Sequence, residues 1–551
     1  MKFALITTPP SVVSGIGDYT RHLLAELSRH AEIELFVEHG REGEKLLGRK
    51  MLSVRTLDPR AFDQIVYQLG NEIAHAFMVP MLRRLGGTVV LHDWILFDLA
   101  LATHPALARG GAKGLALALR EGGFREARVY FENGLARRRQ ARAAPLPVDP
   151  RHLEGTLLDG WHLPETAGRW TSDLARVRLF GETNRSLRVS LTCEPGRSVE
   201  LRCRERSSRA QVTAANREQQ LEIELVGSTD PVVSIAVRPL SLSDEQRRNG
   251  DTRRLGAFIR EISVRDARGE RTLDLRAEAA RPAAPMGLWS DRFRLSLNRS
   301  VVNSADAFLV HSQHVGELIS RARGGSAPSA LVGHGAQPRW RDGDRRETRK
   351  RLNLPDQWQA GVLLTSFGSV QAHKRIEPLL RAFHGARASR PDLRLALIGA
   401  EDSESLDVAG LLRALGLEGS VRLTGRVEES EAWDWIHAGD FAVQLRGPST
   451  GGTSGGVFQS LALGRAVIAS DLAEQRELPD SCVLRVAPGA DEVQQLSRLF
   501  LDLAGDVERR AKLEAAARDF VAGECSWSTV AARYAENLAR FPRPRAARAE
   551  R

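Results

Sequence analysis

Two doubly wound α/β domains, with an antiparallel β-sandwich set into the first, are the fold that this 551-residue chain predicts. Three observations carry the prediction. Glycine turns stand between apolar and helical runs near both ends of the chain, at Ser14-Gly15-Ile16-Gly17-Asp18 and between Ser449 and Gly456. Short apolar runs alternate with helix-period segments on both sides of a middle region, as in a parallel sheet covered on both faces. The middle region alternates apolar and polar residues one by one, as half-buried antiparallel strands do.

In the first domain, Phe3–Ile6 reads as a buried strand, and Tyr19, Leu23, Leu24 and Leu27 share one face of the following helix. Strand, glycine turn and helix form the opening unit of a doubly wound sheet, whose ligand crevice lies at the carboxyl ends of its strands. A dinucleotide fingerprint needs a third glycine where Thr20 stands, so no nicotinamide or flavin cofactor is implied. Ile33–Val37, Ile65–Leu69 and Thr88–Leu91 read as further strands. Residues 112–143 look helical and amphipathic until Ala144-Pro145-Leu146-Pro147 breaks the pattern.

Residues 150–275 form the predicted sandwich. Leu187, Val189, Leu191 and Cys193 alternate with Arg188, Ser190 and Thr192, and the same period recurs through Val199–Cys203, Leu221–Leu225 and Val233–Val237. Residues 276–290, which contain RPAAP, read as the return linker, and the α/β pattern resumes at Ala307–Val310. The four cysteines, Cys193, Cys203, Cys482 and Cys525, are read as buried free thiols, although Cys193 and Cys203 lie on neighbouring strands.

From 345 to 540 the strands are Val362–Phe367, Leu395–Ile398, Val421–Thr424, Phe441–Leu445 and Ala466–Ala469, and long helices follow to Leu538. The divisions are therefore 1–149, the insert 150–275, 276–344 as linker and remainder of the first domain, 345–540, and a basic tail 541–551. The segment from Pro448 to Gly464 is the most informative. Its glycines expose main-chain N–H groups at a helix N-terminus, where the partial positive charge favours an anion such as a phosphate.

No run of about 18 apolar residues and no signal peptide is present, so the expected compartment is the cytoplasm. Net charge is +10 and only seven of the 79 basic side chains are lysines. The arginine excess is spread along the chain, with local runs at Arg137–Arg142 and Arg540–Arg551. No zinc-finger or RNA-binding signature accompanies it, so nucleic acid is not an expected partner. Peripheral contact with an anionic membrane at its inner face and an anionic substrate both remain open.

Taken in order, SGIGDYTRHLL, VVLHD (89–93), FLVHS (308–312), VGHG (332–335), FGSVQAHKRIEPLLRAF (367–383), RLALIG (394–399), VRLTGRV (421–427), TSGGVFQSLALGRAVIASD (453–471) and ELP (477–479) resemble the GT-B glycosyltransferases, specifically the retaining family 4. The resemblance covers nearly all of 1–100 and 295–540. It implies transfer of a sugar from a nucleotide diphosphate-sugar to an acceptor hydroxyl with retention, with neither metal nor cofactor. The acceptor would be a glycan, a lipid-linked hydroxyl or another alcohol. As the glycosidic C–O bond breaks, charge grows on the diphosphate, and cations or helix N-termini stabilise it.

On this resemblance Lys374 holds the diphosphate, assisted by Arg375 and by Thr453, Ser454 and Gly455, while Gly15 and Gly17 approach it from the first domain. His92 is directed at the donor sugar, and Asp18 and Asp93 lie on the acceptor side. Both catalytic roles, those of His92 and Lys374, are implied in this way. His311, His334 and Glu477 match family positions whose roles can equally be packing or capping. Two departures stand out. Ser369 replaces an arginine, and the paired glutamates of the family fall on Gln459, at the ribose, and on Gly451 or Gly452, at the donor sugar. Gln459 can still hydrogen-bond a ribose hydroxyl, whereas a glycine offers only backbone.

GWHLPETAGRW (160–170) and DTRRLGAFIREISV (251–264) resemble β-sandwich modules of some bacterial glycosyltransferases. Trp161 and Trp170 are read either as core anchors or as a sugar-stacking pair. The resemblance thus implies a role in bacterial surface polysaccharide or glycolipid assembly. The alternative is a catalytically impaired GT-B scaffold or a glycan-binding protein.

Overall fold

The computed structural model describes the chain except residues 13, 143–155, 166–167, 181–184, 226–230, 239–254, 267–268, 276–280, 283–291, 326, 341–344, 402–405, 407 and 549–551. Most of the return linker, the Pro145–Pro147 break and residues 251–254 therefore lie outside the described residues.

The first lobe is built on an eight-stranded sheet in the order Ser329–Leu331, Ala307–Val310, Thr88–Leu91, Gln64–Leu69, Lys2–Ile6, Glu32–Val37, Arg49–Ser53 and Lys45–Leu46. All pairings are parallel except the last, a small hairpin. The core strands match the apolar runs to within a residue because both faces of a parallel sheet are covered. The hairpin carries Lys45, Arg49 and Lys50 and gives no such signal.

The second lobe holds a six-stranded parallel sheet, ordered Val421–Leu423, Leu393–Ile398, Val362–Phe367, Phe441–Gln444, Val467–Ser470 and Val483–Val486. The last strand is absent from the sequence reading; it is short and interrupted by Arg485.

The insert is a sandwich of two antiparallel sheets. One contains Glu218–Glu224, Ser186–Thr192, Phe258–Asp266, Gly168–Thr171 and Asp159–Glu165; the other contains Arg206–Gln211, Ser198–Cys203, Val232–Arg238 and Leu174–Arg178. The short strand Arg281–Pro282 joins the first sheet, so part of the expected linker belongs to the sandwich. Leu187, Val189, Val199, Leu201, Val233 and Ile235 fill the space between the sheets, each fully buried. Trp161 is wholly buried in that core, with Nε1 donating to the Arg176 carbonyl at 3.0 Å. Trp170 is half-buried against Phe258, ring centroids 5.2 Å apart, and the two tryptophans do not form a paired platform on one surface. All four cysteines are buried and free.

The chain finally crosses back to the first lobe. Helix Trp527–Arg540 packs on helix Gly15–Leu27, where the Tyr19 and Tyr534 hydroxyls lie 3.0 Å apart. Gln64 Nε2 donates to the carbonyls of Leu538 and Phe541, and Arg543 pairs with Asp63 at 2.7 Å. The expected basic tail is thus docked through Arg545, whose amide donates to Asp306.

Candidate functional site

The site is the seam where the carboxyl ends of the two parallel sheets meet. Strand Thr88–Leu91 runs out into His92, Asp93 and Trp94, and strand Phe441–Gln444 runs out into Arg446 and the glycine loop. The backbone amides of Trp94 and Ile95 both donate to the Thr450 carbonyl at 3.0 Å. Gly451 sits at φ +74°, and a Cβ there would lie 2.5 Å from the Cβ of Trp94. At Gly452 a Cβ would lie 2.4 Å from Asp93 Oδ1. These glycines exist because the main chain of one lobe is pressed against the other. The space beside both glycines is filled here by Trp94, Asp93 and His92 of the opposite lobe.

Lys374 ends a short 3₁₀ turn, Ala372–Lys374, ahead of helix Ile376–Arg387. Its ammonium lies 3.8 Å from where a Gly368 side chain would begin, turned into the seam. Burial, and then the Arg446 guanidinium, push its pKa down to about 7, against the Asp93 carboxylate, which raises it. Asp93 is itself pushed up by burial, opposed by the Asn71 amide, Arg446, Thr450 Oγ1 and Lys374. Two cations and one carboxylate, drawn from both lobes, therefore share a poorly solvated space. Such an arrangement leaves positive charge incompletely balanced until an anion arrives.

His92 Nε2 lies 2.8 Å from Gln68 Oε1, so Nε2 donates and Nδ1 is the unprotonated nitrogen. Its ring meets Tyr19 edge-on at 4.9 Å and His311 at 4.8 Å. Burial holds His92 well below the usual histidine range, with His311 and His334 as further causes. His311 Nδ1 donates to the Gly333 carbonyl at 2.7 Å, and its Nε2 is buried without a hydrogen-bond partner. His334 stacks on Phe458 of the second lobe at 4.4 Å. The three histidines form one neutral, tightly packed cluster with Tyr19.

The N-terminal glycine turn opens helix Gly15–Leu27. Ser14 caps helix Gly15–Leu27 by accepting from the Gly17 amide at 3.1 Å. A Cβ at Gly15 would meet nothing within 4 Å, whereas at Gly17 it would lie 3.1 Å from Thr8 Oγ1. Glu72 also reaches this turn. Burial raises its pKa, while Ser14 and the Ile16 amide hydrogen-bond its carboxylate. A carboxylate already serves this helix start, so Gly15 and Gly17 meet an approaching anion less favourably than the second lobe does. Asp18 is exposed and lies 3.7 Å from Arg21.

On the other lobe, Thr453 is half-buried, Ser454 buried and Gly455 exposed at the start of helix Gly455–Ala462. The Ser454 side chain makes no capping bond. Gly456 is required because a Cβ would lie 2.6 Å from Gln444 Oε1 and 2.8 Å from the Phe367 carbonyl. Gln459 is half-buried one turn along the helix. Arg375 is already engaged by a carboxylate of its own lobe. Its guanidinium forms a bidentate pair with the buried Glu492, Nε to Oε1 at 2.5 Å, and its side chain lies against Gly447, where a Cβ would be 3.1 Å from Arg375 Cδ. Glu477 is a cap: its carboxylate accepts from the amides of Gln313 and His314 at 2.7 and 2.8 Å, tying the second lobe to helix Gln313–Arg323 of the first.

Residues 361–517 match the family described as glycosyl transferases group 1. The matched residues lie in the second lobe and include its parallel sheet and the glycine loop. Over 207 residues it is 30% identical to a GDP-mannose-dependent monoacylated alpha-(1-6)-phosphatidylinositol monomannoside mannosyltransferase of Corynebacterium glutamicum, covering 36% of this chain and 52% of that protein. Over 160 residues it is 31% identical to D-inositol 3-phosphate glycosyltransferase 2 of Catenulispora acidiphila, covering 27% and 37%. The chain thus spans about half the length or less of these curated relatives. Its architecture is similar to sucrose-phosphate synthase from Thermosynechococcus elongatus, with a TM-score of 0.51 at 12% identity over 98% of both chains, and is the GT-B fold.

Sequence reasoning missed Arg446, Trp94 and Glu72 of this site. Arg446 follows a strand directly, the only local signal it gives; its Nη1 donates to the Gly452 carbonyl at 2.7 Å and its amide to Ser470 Oγ at 2.9 Å. Trp94 and Glu72 matter only through contacts between distant segments. Among the described residues, no three His, Cys, Asp or Glu side chains group as a metal site, and no helix is long and apolar enough to cross a membrane.

Proposed function

We propose that this protein is a retaining, metal-independent glycosyltransferase. It would move a sugar from a nucleotide diphosphate-sugar to an acceptor hydroxyl, in the cytoplasm, during assembly of bacterial surface polysaccharide or glycolipid. The observation that carries the reading is the Lys374 ammonium held in the lobe seam beside Arg446 and Asp93. The printed name of the C. glutamicum relative, GDP-mannose-dependent, adds support for a nucleotide-sugar donor.

In this reading the donor binds the second lobe, its diphosphate against Lys374, Arg446 and the amides of 453–455, and its ribose at Gln459. The anomeric C–O bond breaks, the electron pair leaves with the diphosphate, and the acceptor oxygen attacks from the same face. The acceptor proton passes to the departing diphosphate oxygen, so charge and atoms balance with no further reactant. His92, neutral and fixed by Gln68, lines the donor side, and Asp93 faces the acceptor side. Restricted water at the seam strengthens each of these interactions.

The test is Lys374→Ala assayed with GDP-mannose and other nucleotide sugars. Loss of transfer and of donor binding by calorimetry, with a melting temperature no lower than that of the wild type, is expected; full activity in the variant would overturn the reading. A wild-type protein that binds no nucleotide sugar would favour a glycan-binding scaffold, the reading to which Gly451, Gly452 and Ser369 point.

A further inference from the structure

The helical unit that starts at Trp94 ends in helix Gly111–Arg142, and the outer face of this helix is the least explained surface of the lobe. The helix breaks at Gly123, φ +79°, where a Cβ would lie 2.6 Å from Arg299 Nη2. Its second half is anchored from beneath. Tyr130 donates to the Leu107 carbonyl at 2.5 Å, the Glu126 carboxylate accepts from the Leu297 amide at 2.9 Å, and Ala127 is buried. The opposite face is apolar and open. Phe124 is 81% exposed, Phe131 50% and Leu135 37%, and Leu119 in the first half is 48% exposed.

Among the described residues three phenylalanines are exposed, and two of them are on this helix. Positions 124, 128, 131 and 135 follow i, i+4, i+7 and i+11, one face of a helix. Arg128 lies among these apolar residues, 72% exposed and paired only with Glu132 of the same helix. Arg120 and Arg125 are exposed as well, and the sequence continues as Arg137-Arg138-Arg139 and Arg142 in the same helix. A single exposed apolar side chain needs no explanation, but aromatic rings interleaved with arginines on one face do. Rings that enter the headgroup layer, beside guanidinium groups that stay at its phosphates, describe a helix lying on an anionic bilayer.

We propose that the outer face of helix 111–142, through Phe124, Phe131 and Leu135 with Arg120, Arg125 and Arg128, docks on a bilayer of anionic phospholipid. Charge complementarity selects this occupant: acidic headgroups match the arginines and acyl chains match the rings. The same helical unit packs under Trp94, which presses on Gly451, so docking brings the mouth of the seam to the lipid surface. This arrangement suits an acceptor hydroxyl carried on a lipid.

The experiment is co-sedimentation of the full chain with vesicles of mixed phosphatidylglycerol and phosphatidylcholine, and with phosphatidylcholine alone. Partition onto the anionic vesicles, weakened by salt, is expected, and F124S/F131S should lower it by more than about tenfold. R125E/R128E, whose residues are exposed, gives a second measure and should weaken binding by about an order of magnitude. Equal partition onto both kinds of vesicle would overturn the proposal. So would retained binding by either variant, or a dimer in light scattering that F124S/F131S dissolves. Vesicle binding requires no donor and no transfer, so its failure leaves the reading of the seam intact.

Discussion

Gly451 lies directly beneath Trp94, so close that a Cβ on the glycine would sit 2.5 Å from the Cβ of the tryptophan. A glutamate therefore cannot be introduced at this position by substitution alone. Gly451→Glu would force a side chain into φ +74° and wedge the lobes apart at the Trp94–Thr450 hydrogen bond. A left-handed non-glycine residue costs about 1–2 kcal/mol and overpacking about 1–3 kcal/mol more. The expected outcome is a lower melting temperature and weaker donor binding. A Gly451→Glu protein that melts normally and transfers sugar faster would show that the seam opens freely.

Lys374 makes donor binding depend on pH in a defined direction. Its pKa in the folded protein is about 7, against 10.5 for the unfolded chain, because burial and Arg446 disfavour the ammonium. Between these values the unfolded chain binds more protons, so this lysine makes stability rise with pH across the window. A diphosphate reverses the preference and draws a proton onto the amine. Affinity for GDP is therefore expected to weaken as pH rises through 7 and beyond. Calorimetry at pH 8 in two buffers of different ionisation enthalpy should show proton uptake that Lys374→Met abolishes. Unchanged uptake in that variant would assign the proton to another group.

What could be read from the sequence follows from range. The core strands were legible because Phe3–Ile6 or Val362–Phe367 are apolar on both faces, and the sandwich because Leu187–Cys193 alternates strictly. Lys374 was singled out through its motif, and the structure places its ammonium in the seam beside Arg446 and Asp93. The partner of Arg375 was not legible: the adjacent residue looks equally available, yet the buried Glu492, 117 positions away in sequence, captures it. Arg446, Trp94 and Glu72 gain meaning only when the lobes and turns meet, and no local periodicity records that. Glycines 451 and 452 were read as a loss of glutamate; the structure adds why nothing larger fits.

The histidine cluster sets an acid limit on stability. Burial lowers His311 to about 4 and His334 to about 3, and holds His92 well below the usual histidine range. Each is depressed below its unfolded value of 6.5, so the stability of the neutral cluster is present above that pH and is lost as pH falls from 6.5 toward 4. For the buried His311 the loss approaches roughly 1.4 kcal/mol per pH unit. Melting temperature should therefore drop steeply between pH 6.5 and 4.5, and His311→Asn, which cannot take up that proton, should flatten the slope while lowering the plateau. An unchanged slope would place the acid-sensitive groups elsewhere.

Arg446 is expected to supply the positive charge missing at Ser369. It enters the seam from the end of strand Phe441–Gln444, lowers the pKa of Lys374 and opposes the rise at Asp93, so its charge is felt at both. One arm holds the Gly452 carbonyl at 2.7 Å, fixing the loop whose amides are proposed to meet the diphosphate. A charge-assisted hydrogen bond is worth about 1.5–3 kcal/mol, and Arg446→Ala should therefore weaken GDP binding by roughly ten- to a hundredfold. Arg446→Lys keeps the charge but not the fork, so it should recover part of the affinity while leaving the loop less ordered. The decisive reading is the Lys374 titration. Without Arg446 the lysine pKa rises, because a like charge has gone, and the pH at which GDP affinity starts to fall moves upward. A variant with weak binding and an unmoved pH profile would reduce Arg446 to a loop support.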